Sequence, residues 1–104
     1  MFVGALRAEY EVPGARNLKD KRRRVRSLKD RVASRFGVDV AEVDAQDLWQ
    51  RTVLGVALVS GTESQLRARM DALVRFLTMD PNLRVLGITP RVFERVDPDL
   101  TALS

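Results

Sequence analysis

The residues of this chain best equipped for chemistry are its cations. Between Arg16 and Arg35 stand ten basic residues (Arg16, Lys19, Lys21, Arg22, Arg23, Arg24, Arg26, Lys29, Arg31, Arg35) and two acids, Asp20 and Asp30, a net +8. The rest of the 104 residues carries eight basic and twelve acidic side chains, a net −4. A basic block on a mildly acidic body attracts polyanions, and phosphate contacts are the largest sequence-independent contribution to nucleic-acid binding. The expected contacts are Arg16, Lys19, Lys21, Arg22, Arg23 and Arg26, and the expected partner is RNA or a ribosomal particle.

Other chemistries find little support. Histidine and cysteine are both absent, which removes the usual general base near neutral pH, the commonest metal ligand and any thiolate or disulfide chemistry. Asp44 and Asp47 without histidine or a turn glycine make a poor metal set, so no metal and no cofactor is expected. No phosphate loop, Gly-x-x-Gly clamp or nucleophile elbow occurs. The loop Val12-Pro13-Gly14-Ala15-Arg16-Asn17 leads into a helix, whose free backbone N–H groups offer a weak anion site. Trp49, the one tryptophan, sits in a polar connection with Asp44, Gln46, Asp47, Gln50 and Arg51. It reads either as a cover over the core or as an exposed stacking or interface residue.

The elements that position these residues follow from periodicity. Residues 2–12 alternate, with Gly4, Leu6, Ala8, Tyr10 and Val12 on one face, and Pro13-Gly14 ends that strand. Asn17 caps a helix over 18–36 whose apolar stripe is Leu18, Val25, Leu28, Val32 and Phe36, with Gly37 as its stop. Around this helix, with Val25 as zero, the cations fall at about 60° to 160° and −80° to −120°, on both flanks of the stripe. Like charges recur four residues apart (Lys19/Arg23, Arg22/Arg26, Arg31/Arg35), a repulsion that favours an anionic partner over a merely solvated helix. Lys21 and Lys29 lie at the stripe's border, about −40° and +40°, where a stem snorkels or a cation faces a pocket.

Residues 38–44 read as a second strand with a slip between Val40 and Val43 that suggests a bulge. Thr52–Ser60 is apolar at every internal position, as in a central strand covered on both faces. Thr62 with Gln65 forms a capping-box pattern before a helix over 63–79 that ends ahead of Pro81. Residues 83–89 form a fourth strand. Pro90 interrupts it, leaving Val92, Phe93 and Val96 to an edge extension or a tail in which Leu100 and Leu103 fray. The order predicts an α+β fold: a ferredoxin-like βαββαβ sandwich, one four-stranded antiparallel sheet with two helices on one face, spanning 1–96 with a C-terminal tail over 97–104.

The face without helices would carry a subset of Val3, Ala5, Leu54, Val56, Leu58, Leu86 and Ile88. Exposed apolar surface of that kind marks a partner, so a homo-oligomer is expected, with Trp49, Leu54, Val56 and Leu58 as the interface; the alternative to RNA binding is a protein-interaction adaptor that uses this open face and Trp49. Thr52–Ser60 holds no aromatic, which disfavours base stacking on the inner strands as in an RNA-recognition motif. Acylphosphatases share the topology and an arginine near the first loop. Here their glycine-rich cradle is missing and no asparagine lies in Thr52–Ser60, so an enzyme is not expected and no small-molecule substrate is identified. The first residues read as a strand, not a leader, and no run approaches the roughly 20 apolar residues of a membrane span, so a cytoplasmic location without membrane association is expected.

Three stretches, Pro13-Gly14-Ala15-Arg16-Asn17-Leu18-Lys19-Asp20-Lys21-Arg22, Val40-Ala41-Glu42-Val43 and Asp47-Leu48-Trp49-Gln50-Arg51-Thr52-Val53-Leu54-Gly55, together with the Val3-Gly4 start and the size, resemble the YlxP-like family of small bacterial proteins of unknown function. The resemblance covers roughly residues 1–96. It implies a ferredoxin-like fold and a cytoplasmic bacterial protein. Genes of that family often lie among those for translation initiation and ribosome maturation, which implies association with ribosomal RNA. It carries no catalytic residue over to this chain.

Overall fold

The structure, a computed structural model, describes residues 1–93. The tail over 97–104, and the readings of Val96, Leu100 and Leu103, lie outside the described residues.

Six elements follow in order: β1 (Phe2–Glu11), α1 (Leu18–Phe36), β2 (Val40–Asp44), β3 (Arg51–Ser60), α2 (Glu63–Leu77) and β4 (Arg84–Phe93). The sheet runs β2-β3-β1-β4, every neighbouring pair is antiparallel, and both helices cover one face. This is the ferredoxin-like βαββαβ arrangement.

Local chemistry sets the boundaries. The Asn17 side chain accepts the Asp20 N–H at 2.8 Å, and Gly37, in the left-handed region with φ 65°, closes α1 by donating its N–H to the Ala33 carbonyl. Thr62 caps α2 through the Gln65 N–H. The capping box is only half formed, because the Gln65 side chain accepts from the Ser60 hydroxyl instead of returning to the Thr62 N–H. α2 stops at Leu77, two residues earlier than its periodicity suggests, and the Tyr10 hydroxyl caps its last carbonyl at 2.7 Å. β4 continues through Pro90 to Phe93. It is an edge strand, where a residue without an N–H is tolerated. β2 is shorter than its apolar run, and its pairing with β3 shifts between Glu42 and Asp44, which makes Val43 the bulge residue.

Beneath the helices, Leu6, Ala8, Tyr10, Leu54, Val56 and Leu58 of the sheet meet Val25, Leu28 and Val32 of α1 and Leu66, Met70, Leu73 and Leu77 of α2. Leu54, Val56 and Leu58 therefore do not belong to an open face. Antiparallel pairing places them opposite Ala8, Leu6 and Gly4, in the same layer under the helices, and they are buried. An all-apolar strand hides this parity, since alternation is what distinguishes its faces. The residues that do face away from the helices are Val53, Gly55, Ala57 and Val59 of β3 with Val3, Ala5, Arg7, Glu9 and Glu11 of β1. A third of these residues are charged, and they are paired: Arg7 and Arg51 with Glu9, and Arg84 with Glu11.

Candidate functional site

Strand β1 ends at Glu11 and the chain turns through Val12–Asn17 into α1. At that same end the β2–β3 connection, residues 45–50, crosses beside it. The two are stitched together: the Val12 N–H donates to the Gln50 carbonyl at 2.8 Å, and the Gln50 side chain donates to the Ala15 carbonyl at 3.4 Å.

Lys21 makes the third stitch and is not a phosphate contact. Its side chain is 0% exposed, with Nζ 2.7 Å from the Ala45 carbonyl, 3.3 Å from the Gln46 carbonyl and 2.7 Å from Glu42 Oε2. Thr52, itself buried, donates its hydroxyl to the same Glu42 oxygen. Every donor of this ammonium is spent on the protein, as a buried charge requires. Ala45 adopts φ 59°, a left-handed conformation costly for alanine, and Lys21 holds the carbonyl of that residue. The sequence signal was a lysine inside an apolar stripe together with a glutamate on the facing strand.

The remaining cations of the block divide into two flanks. On the side at about −80° to −120°, Arg24 binds Asp20 and the Pro13 carbonyl, Arg31 binds the largely buried Asp80, and Arg35 lies over the Phe76 ring at 5.2 Å. These three are structural. Lys19, Arg22, Arg26 and Lys29 follow one another at i, i+3, i+7 and i+10, at about 40° to 120°, on the opposite flank. With Arg16 in the preceding loop they have no ion-pair or hydrogen-bond partner for their side chains among the described residues. Arg23, at about 160°, is exposed but donates to Asp20 at 2.6 Å, so only part of its guanidinium is free. The free stripe runs about 15 Å along the helix, with Asp30 at its far border.

The loop before α1 is less suited to an anion than its sequence suggests. The Asn17 oxygen already takes the Asp20 N–H, and the Asp20 carboxylate sits in the first turn, where it answers the positive end of the helix. Hydrogen bonding to Arg23, and then to Arg24, holds the Asp20 carboxyl below the usual carboxylate range.

Trp49 is 51% exposed, not a cover over the core. With Leu48, Leu86, Arg51, Arg84 and Glu11 it lines an open hollow of about 810 Å³ where β1 ends and β3 and β4 begin. Glu11 accepts from Arg84 at 2.7 Å and pushes that guanidinium's pKa up. Among the described residues no group of three acidic side chains is placed to hold a metal, and no helix is long and apolar enough to cross a membrane.

The chain is 31% identical over 82 residues to an uncharacterized protein, YlxP, of Bacillus subtilis (strain 168), covering 79% of this chain and 89% of that one. Among solved structures, an acylphosphatase from Bacillus subtilis matches at 13% identity and a TM-score of 0.48, covering 93% of this chain and 90% of that one. Rv0793 from Mycobacterium tuberculosis matches at 16% identity and a TM-score of 0.48, covering 93% and 98%. A family model described as "protein of unknown function (DUF503)" matches residues 3–89, and the chain belongs to that family.

Proposed function

We propose that this protein binds structured RNA, with a ribosomal particle as its source, through the outer flank of α1 and the loop before it. Arg16, Lys19, Arg22 and Arg26 contact phosphates, Lys29 extends the row, and Arg23 contributes with the part of its guanidinium that Asp20 leaves free. The carrying observation is the division of the cations. Arg24, Arg31 and Arg35 are used by the fold, whereas five of the basic residues from Arg16 to Lys29 have no partner among the described residues. Unpaired cations arrayed along one line suit a backbone of regularly spaced negative charges.

Binding to a blunt RNA duplex, followed by fluorescence anisotropy, tests this. Between about 50 and 200 mM salt the affinity falls about 150- to 500-fold, as four to five phosphate contacts require. The pair Arg22→Glu and Arg26→Glu abolishes binding. Affinity unchanged by salt or by that pair would overturn the proposal.

A second reading, self-association through the open sheet face, is favoured by Val43 and Val59, each more than half exposed on it. Light scattering at micromolar concentration would then give a mass above the 11.7 kDa of one chain, and Val59→Glu would return it to that value. A single-chain mass at the outset removes this reading.

A further inference from the structure

The hollow beside Trp49 has the chemistry of a nucleobase site. Its apolar part is made by Leu48, Trp49 and Leu86, all exposed large hydrophobic side chains. A half-exposed indole offers a flat face on which any base stacks, and the side chain is rigid, so little entropy is lost on contact. Polar groups stand around it. Arg51 pairs with Glu9 and Arg84 with Glu11 at its rim. Asp47 and Gln50 carry acceptors and a donor for the edge of a base.

The position of this hollow relative to the basic flank sharpens the assignment. Gln50, the neighbour of Trp49, is hydrogen-bonded to Val12 and Ala15, and the residue after Ala15 is Arg16, the first free cation. At the other end of the connection, Lys21 binds the Ala45 and Gln46 carbonyls from within α1. The tryptophan loop and the cationic helix are therefore fastened together at two points. Arg16 thus stands in the chain between the residue that Gln50 binds and the start of the basic helix.

We propose that the Trp49 hollow receives one unpaired base of the RNA whose backbone lies along α1, so that the preferred ligand is a duplex flanked by a single-stranded overhang or bulge. This rests on the RNA reading above. It places specificity for unpaired RNA in the β2–β3 connection and affinity in the helix.

Two RNAs separate the two claims: one blunt duplex, and the same duplex with three unpaired nucleotides at one end. The chain has a single tryptophan, so its intrinsic fluorescence reports on this site alone. The overhang RNA is expected to bind about tenfold more tightly than the blunt one and to quench the tryptophan. Trp49→Ala brings that ratio to about one, and Trp49→Phe, which keeps a stacking face, retains most of it. Equal affinities with unquenched fluorescence would overturn the base site and leave the helix platform standing. Failure of both RNAs to bind at low salt would overturn the platform and the base site together.

Discussion

Lys21 shows how much one side chain can decide. A lysine with no exposed surface is accommodated because Glu42 and two loop carbonyls take up its donors. Replacing it by methionine preserves volume but strands Glu42 and frees the Ala45–Gln46 turn. Urea unfolding should show a loss of about 3 kcal/mol, the scale of a broken buried pair. Restoring neutrality with Lys21→Met and Glu42→Gln together should recover part of it. Tyr10 gives a second test at this scale. Burial, and then the charge of Asp80, pushes its hydroxyl well above the ordinary tyrosine value of 10.0. The folded protein thus holds the phenolic proton more tightly than the unfolded chain does. The contribution is intact below about pH 10 and drains away as pH rises further, by up to about 1.4 kcal/mol per unit. Tyr10→Phe should flatten that alkaline slope while costing about 1 kcal/mol at neutral pH for the hydrogen bond to Leu77.

At the scale of the element, α1 carries a conflict between stability and binding. Arg22 has Lys19 three residues before it and Arg26 four residues after, so like charges face each other along the free flank. Arg22→Glu turns both repulsions into attractions and should raise stability by about 0.5 kcal/mol in thermal unfolding at low salt, while weakening RNA binding. A helix shaped by folding alone would not keep the arginine. The extent of α1 was legible in its sequence, because an asparagine cap, a stripe of Val25, Leu28 and Val32, and a terminal glycine all agree. The use of its cations was legible in part. The helical wheel separates Arg24 and Arg31 from Arg22 and Arg26, and Asp20 lies four residues before Arg24, but the roles of Pro13 and Asp80 as partners, and the burial of Lys21, come from tertiary structure. The open face was misassigned for a related reason. Thr52–Ser60 is apolar at both parities, so periodicity fixes the strand but not its sides, and pairing with β1 settles which residues lie under the helices. Trp49 could be placed on a connection but not exposed or buried, since its surroundings come from β1 and β4, distant in the chain.

For the whole molecule, salt should act with opposite signs on the free and the bound protein. In the free chain the block from Arg16 to Arg35 concentrates a net +8, and the cations of the free flank have no ion-pair partner among the described residues. Added salt screens that repulsion, so the unfolding temperature of the protein alone should rise between about 50 and 500 mM salt. Arg22→Glu with Arg26→Glu should blunt the rise, because the repulsion it relieves is already gone. Bound RNA reverses the trend. A ligand present at a hundred times its Kd stabilises by about 2.7 kcal/mol, which for a domain of this size raises the unfolding temperature by roughly 10 °C or more. That increment depends on phosphate contacts and should vanish across the same salt range. Differential scanning fluorimetry with and without the overhang duplex therefore yields two curves that converge at high salt. Parallel curves would mean that the ligand is held by something other than this charge, and would count against the cationic flank as the RNA surface.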